Sequence, residues 1–347
     1  MRINFILDGI GTSGGVRMVF NFANFLFHRG HQVTVYSRRN KLPENLNELK
    51  HWLLIRKLDL FTPFPHCFPI HFVNDLKDSS KITDADRVIA TACSTAFIVN
   101  GYPQSKGEKF YFVQDFENWA NSSKMALQSW LLPLKTIVTC QHLLSLFKTK
   151  TGKKPFTLVY YGLEDQFFNH QKKRFFPHKK QAVVTMIYNS TERKGGLDGI
   201  AALKTVKKEF PETIFNLFGI DQTIKKYRHW ANIHYFPTQN RILDLYRQTD
   251  IFVSPSRKEG FGLPGLEALA NKCALASTGV GAVCEYSQPG KSSLISPPKN
   301  PRALAENIIK LLKNSEKIKY FALSGFKQAQ RFKMATAGPK FEKVLSA

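Results

Sequence analysis

Along this chain, short apolar runs closed by glycine, proline or acidic residues alternate with stretches in which apolar side chains recur every three or four positions. The first run, residues 3–7, predicts a buried strand. Val19, Phe22, Ala23 and Leu26 then share one face of a helix that ends at His28-Arg29-Gly30-His31, and residues 32–36 predict the next strand. Such a βαβ unit crosses over with a right hand, so its strands are parallel. The alternation continues through strands predicted at residues 87–91, 109–117, 136–139 and 157–160, with a Ser/Leu-rich helix at 141–150. A basic, polar linker then reaches to about residue 180. Beyond it, strands are predicted at 183–188, 214–219, 250–254 and 274–277, with one more closed by Pro297-Pro298. Helices are predicted around Leu243, Leu245 and Tyr246, around Leu266, Leu269 and Ala270, and along Leu304, Ile308, Ile309, Leu311 and Leu312. Strands alternating with helices imply parallel sheets in an α/β fold. Residues 41–80 break the pattern. Leu42-Pro43, Phe61-Thr62-Pro63-Phe64-Pro65 and Phe68-Pro69 predict an irregular aromatic segment suited to gripping an acceptor or touching lipid.

Composition narrows the class. A chain of 347 residues exceeds one ordinary core and suits two domains, and 43% hydrophobic against 22% charged residues describes a globular protein. No apolar run approaches the roughly 18 to 20 residues that span a bilayer. The N-terminal run ends in Asp8 and a glycine cluster, unlike a signal peptide, which places the chain in the cytoplasm. Five cysteines without metal-ligand spacing predict free thiols.

The net charge of +24 is uneven. Residues 1–165 carry 20 Lys/Arg against 13 Asp/Glu, and residues 166–347 carry 30 against 13, so the halves contribute +7 and +17. Clusters such as Lys172-Lys173-Arg174 with Lys179-Lys180, and Lys225-Lys226 with Arg228, belong to no nucleic-acid-binding motif. No nucleic-acid partner is therefore expected. An anionic membrane surface fits such clusters, since each Lys or Arg near acidic headgroups gains on the order of 1 kcal/mol. A generally basic solvated surface is the alternative.

The chemistry concentrates at Glu259-Gly260-Phe261-Gly262-Leu263-Pro264-Gly265-Leu266-Glu267, between the strand at 250–254 and a helix in which Pro264 suits the first position. A strand-to-helix turn of this kind aims backbone N–H groups, here of Phe261, Gly262 and Leu263, and the positive end of a helix dipole, at an anion. Glu259 on the loop and Glu267 on the first helical turn add two carboxylates, which accept from hydroxyls. A ligand carrying both phosphate and hydroxyls, such as a nucleotide sugar, suits that combination.

The Glu-x7-Glu spacing around Gly-Phe-Gly-Leu-Pro resembles the signature of glycosyltransferase family 4. Further landmarks in the same order are Gly14-Gly15 after the first strand, Tyr161-Gly162-Leu163-Glu164 with Phe167 or Phe168, Arg193-Lys194-Gly195, and Pro255-Ser256. The resemblance implies the GT-B fold, two Rossmann-like α/β domains facing a central cleft. An N-terminal acceptor domain would occupy residues 1–165, joined by a C-terminal helix at about 326–347 packing back on it, and a nucleotide-sugar domain would occupy 175–325. It further implies that Lys194 neutralises the leaving diphosphate, that Glu259 holds sugar hydroxyls and Glu267 ribose hydroxyls, and that Gly14 and Gly15 form a loop near the diphosphate. Two positions depart from the family pattern. Asn189 stands where an Arg is usual, with Arg193 as the substitute cation, and Gln114-Asp115 stands where a His is usual at a strand end. The strand end Phe-Val-Gln-Asp-Phe-Glu resembles a subgroup of surface-glycan rhamnosyltransferases, whose 6-deoxysugar has no hydroxyl for that His. The activity implied is hexosyl-type transfer from a nucleotide diphosphate sugar to a glycan or lipid-linked acceptor in cell-surface polysaccharide synthesis, at the inner face of the membrane. Asp115 is a candidate base if the outcome is inversion. No cofactor or metal is expected, since Asp84-Ala85-Asp86 precedes a strand instead of following one.

Two other readings stay open. Gly9-x-Gly11-x-x-Gly14 with Arg38-Arg39 satisfies the pattern of an NADP-dependent oxidoreductase, although it leaves Glu259 and Glu267 unexplained. A non-catalytic glycan-binding relative of the fold is the second. Gly11-x-Ser13-x-Gly15 also matches a hydrolase nucleophile elbow, which needs a later Asp and His.

Overall fold

A computed structural model describes residues 1–38, 64–118, 122–152, 156–177 and 181–347. Arg39, Leu42-Pro43, Phe61-Thr62-Pro63 and Lys179-Lys180 lie outside the described residues. The chain divides into two units, Met1–Gly162 with Met334–Ala347, and Leu163–Lys333.

In the first unit, β1 (Arg2–Leu7), α1 (Gly14–His28), β2 (Gln32–Arg38), β3 (Ile70–Val73), β4 (Arg87–Ala90), α2 (Cys93–Asn100), β5 (Glu108–Val113), α3 (Ser123–Leu131), β6 (Lys135–Val138), α4 (Gln141–Thr151) and β7 (Phe156–Leu158) follow in order. The seven strands form one sheet in the order β3-β2-β1-β4-β5-β6-β7. Every pair is parallel, with Ile3 opposite Val33 on one side of β1 and Arg87 on the other. Nearly every residue of β1 and β5 beyond the first is buried, which is why these strands read as unbroken apolar runs.

The second unit runs through β8 (Val183–Ile187), α5 (Gly196–Glu209), β9 (Ile214–Gly219), β10 (Asn232–Tyr235), α6 (Gln239–Gln248), β11 (Ile251–Ser254), α7 (Leu263–Ala270), β12 (Ala274–Thr278), the short α8 (Val283–Tyr286), β13 (Ser293–Ser296), α9 (Pro301–Leu312) and α10 (Ser315–Ala329). Its sheet is again parallel, ordered β10-β9-β8-β11-β12-β13. Val184, Met186, Leu217, Ile251 and Val253 meet Leu203, Ile308 and Leu311 from the helices in one core. In both sheets the strand order reverses beside the first strand of the unit, between β1 and β4 and between β8 and β11. Ligands of doubly wound sheets bind outside the strands' carboxyl ends at that reversal.

The terminal helix α11 (Met334–Ser346) belongs to the first unit. Its Phe341 is fully buried and stacks on Phe22 at 4.4 Å between ring centroids. This corrects the expected start of the returning segment at about residue 326. The helix α10 continues to Ala329 against α7, where a Cβ on Gly325 would meet Leu269 Cδ2 at 2.5 Å, so residues 326–333 stay with the second unit. The other boundary also moves, to Gly162 from 165, and residues 163–177 are not a free linker. Asn169 N–H donates to Ala270 O at 2.9 Å, Asn271 Nδ2 to Phe167 O at 2.8 Å, and Lys173 Nζ to the carbonyls of Thr249 and Asn271 at 2.6 and 2.9 Å.

Candidate active site

Two loops at the carboxyl end of the second sheet build the site. After β8, Asn189 Oδ1 accepts from the Thr191 N–H and hydroxyl at 2.9 and 2.7 Å, turning the chain into the single helical turn Glu192–Lys194. Asn189 is thus engaged as a turn-former through that oxygen. Gly195 follows with φ +60°, and a Cβ there would stand 2.1 Å from Pro255 O, so this residue lets the loop lie on the one that follows β11. The two loops are joined directly, since Arg193 O accepts from the N–H groups of Arg257 and Lys258 at 2.8 and 3.1 Å. Arg257 ties them a second time, reaching Asp198 with two nitrogens at 2.7 and 2.8 Å and Glu192 at 2.8 Å.

That junction brings Lys194 and Arg193 to Glu259. Lys194 Nζ donates to both Glu259 oxygens, at 2.8 and 3.0 Å, and Ser256 Oγ donates to Oε1 at 2.7 Å. Arg193 Nη1 lies 3.6 Å from Oε2 and donates to Lys258 O at 3.0 Å. The Glu259 side chain is 12% exposed and that of Lys194 38%, so the carboxylate is an inner anchor and the ammonium faces outward. The sequence thus predicted three residues, Lys194, Arg193 and Glu259, that the fold assembles into one cluster.

Beyond Glu259 the turn tightens. Gly262 adopts φ +88° and caps α7, and among the described residues nothing accepts from the N–H of Gly262 or Leu263. Phe261 is buried and stacks on Tyr286 at 5.7 Å. The Tyr286 hydroxyl donates to Gly262 O at 3.0 Å and stands where a Cβ on Gly265 would be, at 2.4 Å. Burial, then the nearby Glu259 charge, pushes that phenol well above its ordinary range, so it stays a neutral donor. The helix begins one residue earlier than the proline suggested, so Pro264 takes the second position, and Glu267, expected on the first turn, falls on the second. Glu267 is 3% exposed, and its Oε2 accepts from the Tyr246 hydroxyl at 3.0 Å. Periodicity marks Tyr246 only as part of an apolar helix face and gives Tyr286 no mark at all; their hydroxyl roles are set by tertiary placement.

The first unit holds the remaining predicted residues at the carboxyl end of its own sheet. Gly14 and Gly15 do not form a loop. Ser13 caps α1 by accepting from Val16 N–H at 3.3 Å, and the glycines are its first two residues. Gly15 backs onto Gln114, where a Cβ would come 3.2 Å from Oε1. That oxygen accepts from the Tyr161 hydroxyl at 2.7 Å, while Nε2 donates to Thr91 O at 3.1 Å. Asp115 Oδ1 accepts from Phe116 N–H at 2.8 Å. Glu117, not singled out from the sequence, accepts from Cys93 N–H at 3.0 Å, and burial, with Asp115 and Asp8 adding repulsion, pushes its carboxyl up to about 7. Asp8 accepts from Ser94 Oγ at 3.0 Å and pairs with Arg38 at 3.3 Å, so the arginine proposed for a 2′-phosphate already has a carboxylate. Asp84 and Asp86 pair with Lys106 and Arg2 at 2.8 and 3.2 Å. No group of three or more metal-ligating side chains occurs among the described residues, and no helix among them is long and apolar enough to cross a membrane.

Gly195→Ala tests the loop junction. Its left-handed backbone alone costs about 1–2 kcal/mol with a Cβ present, and the collision with Pro255 O forces the Arg193-Lys194 turn away from Glu259. The expected result is a thermal midpoint lowered by a few degrees; an unchanged midpoint would show that the junction accommodates a side chain at this position without moving.

Residues 167–328 match the family described as Glycosyl transferases group 1. Among curated proteins, the chain is similar to an uncharacterized glycosyltransferase, MJ1178, of Methanocaldococcus jannaschii, 28% identical over 126 residues that make up 34% of this chain and 36% of that one. It is also similar to the lipopolysaccharide core biosynthesis mannosyltransferase LpsB of Rhizobium meliloti, 52% identical over 44 residues, 13% of this chain and 12% of the other. These matches span about a third or less of either relative. Among solved structures, Anabaena HepE in complex with UDP and glucose superposes with a TM-score of 0.78 at 15% identity, covering 100% of this chain and 99% of that one. The whole chain therefore has the two-sheet, Rossmann-like architecture of the GT-B fold, and its residues 167–328 are similar to the group 1 glycosyl transferases.

Proposed function

We propose that the chain transfers a glycosyl group from a nucleotide diphosphate sugar to a hydroxyl of a glycan or lipid-linked acceptor. The observation that carries this reading is the Lys194–Glu259–Ser256 cluster beside the unspent N–H groups that open α7, at the carboxyl ends of β8 and β11. Departure of the diphosphate gathers negative charge, and prepositioned cations and N–H donors aimed at it are the largest source of rate in such chemistry. Lys194 and Arg193 supply the charge, and Phe261, Gly262 and Leu263 the backbone donors. Glu259 steers Lys194 and accepts from sugar hydroxyls, and Glu267 is the acceptor for the ribose. The reaction needs no metal in this reading, because the two cations do its work. The names of the similar proteins, a core mannosyltransferase among them, support synthesis of a surface glycan.

A 6-deoxyhexose such as rhamnose is the proposed sugar. Gln114, which stands where a hydroxyl-binding His would, already spends its oxygen on Tyr161 and a hydrogen on Thr91. The acceptor is proposed to be presented at an anionic membrane surface, in keeping with the +17 charge of residues 166–347. Turnover of nucleotide-linked rhamnose, glucose and mannose in the presence of EDTA, with NMR of the product anomer, tests these points together. The deoxyhexose is expected to be favoured by about tenfold or more in kcat/KM. Preference for a hexose would remove the deoxysugar reading, and absence of turnover with any nucleotide sugar would remove the transferase itself.

A further inference from the structure

The second sheet has a basic cavity at its opposite end. A cavity of about 520 Å³ opens beside Val183 and Ile214, the first residues of β8 and β9, whereas Lys194 and Glu259 follow the carboxyl ends of β8 and β11. It therefore lies apart from the candidate active site.

Four of its ten lining residues are cations, Lys172, Lys173, Arg174 and Arg247, and none is acidic. The four differ in what they have left to offer a ligand. Lys173 donates to the carbonyls of Tyr246, Thr249 and Asn271 at 3.2, 2.6 and 2.9 Å, so its hydrogens are spent inward. Arg247 pairs with Asp244 at 3.1 Å, both side chains about half exposed. Lys172 and Arg174 have no carboxylate partner among the described residues. Asp250, the acid at the foot of β11, is fully buried; its oxygens accept from the N–H groups of Phe176 and Val183, and it does not reach the cavity wall.

An unbalanced cluster of cations in a concave wall favours an anion and concentrates its field there. The remaining wall narrows the choice. Gln171, Gln181 and Gln248 present amides, which both donate and accept, and Val183 and Ile214 supply an apolar floor. Cations for a phosphate, amides for hydroxyls and an apolar floor for a ring face are the complement of a sugar phosphate, and the volume lies within the roughly 300–1,000 Å³ usual for small-ligand sites.

We propose that this cavity binds a phosphorylated sugar or polyol through Lys172 and Arg174, at a site separate from that of the nucleotide sugar. The phosphate can arrive on a free sugar phosphate or on a lipid headgroup, and the same residues would hold either. The test uses the full chain and its Lys172→Glu/Arg174→Glu double variant, with Lys172→Gln/Arg174→Gln as a milder pair should the charge reversal fail to fold. Calorimetry with glucose 6-phosphate, glucose and inorganic phosphate, and flotation with phosphatidylinositol phosphate vesicles, are read beside UDP binding by thermal shift.

Glucose 6-phosphate binding that weakens by about tenfold or more in the double variant, with glucose not bound and UDP binding unchanged, supports the free ligand. Vesicle binding that depends on the same two residues, without glucose 6-phosphate binding, supports the headgroup. Binding of neither, or binding equally strong in both variants, overturns the proposal, as does inorganic phosphate binding as tightly as glucose 6-phosphate.

Discussion

Glu259→Ala will lower kcat for glycosyl transfer by about 10²–10³, the usual consequence of removing one prepositioned electrostatic group from a site where charge develops. The carboxylate is largely shielded and receives Lys194 twice and Ser256 once, so truncation does two things. In the proposed reaction it removes an acceptor for the sugar, and it frees the Lys194 ammonium from the orientation in which it is proposed to meet the leaving phosphate. Nucleotide binding is expected to survive, because the backbone donors of α7 are untouched. The signature is therefore a fall in kcat with a nearly constant dissociation constant for UDP. Lys194→Ala is expected to reach a comparable rate, and the double variant to be little worse than either single one, since the two side chains act as one unit. Wild-type turnover by Glu259→Ala would show that this cluster is a structural ion pair, and the transferase reading would lose its main support.

The parts of this site that could be read in advance share a physical cause. Lys194 and Glu259 sit beside glycines that local sterics demand, Gly195 at φ +60° and Gly262 at φ +88°, and both follow strands buried on two faces, which leave unbroken apolar runs. Each signal is local. The tyrosines that brace the turn are not local: Tyr286 reaches Gly262 from 24 residues away and Tyr246 reaches Glu267 from 21, and nothing in their own neighbourhoods distinguishes them from core aromatics. Gly14-Gly15 went astray for another reason. Low helix propensity argued for a loop, but the Ser13 cap, worth about 1 kcal/mol, and the buried face of α1 outweighed two glycines at the helix end. The return point near residue 333 was hidden because α10 and α11 are both amphipathic, and only the packing of Gly325 on Leu269 and of Phe341 on Phe22 assigns them to different units.

Glu117 shows how a residue without a motif can dominate pH behaviour. It lies past the end of β5, where desolvation first, and then the charges of Asp115 and Asp8, raise its carboxyl from 4.5 to about 7, while the Cys93 N–H pulls the other way. An acid raised on folding binds more protons in the native state than in the unfolded chain between those two values, so native stability falls as pH rises from about 4.5 to about 7 and levels off above. Across that interval each pH step of one costs at most about 1.4 kcal/mol, so the whole loss is no more than about 3.5 kcal/mol, and partial exposure of the residue keeps it below that limit. Glu117→Gln keeps an oxygen for the Cys93 N–H and removes the charge. It should match the wild type near pH 4 and be more stable at pH 8 by about 2–3 kcal/mol in urea unfolding of the first unit, with the gap opening across the interval between. The neighbouring Cys93 thiol is itself pushed up by burial and remains protonated throughout that range, so it does not imitate the effect. A variant whose advantage is the same at both ends of the range would show that Glu117 titrates in the native state as it does in the unfolded chain, and that its site is wetter than the packing around Cys93 and β5 implies.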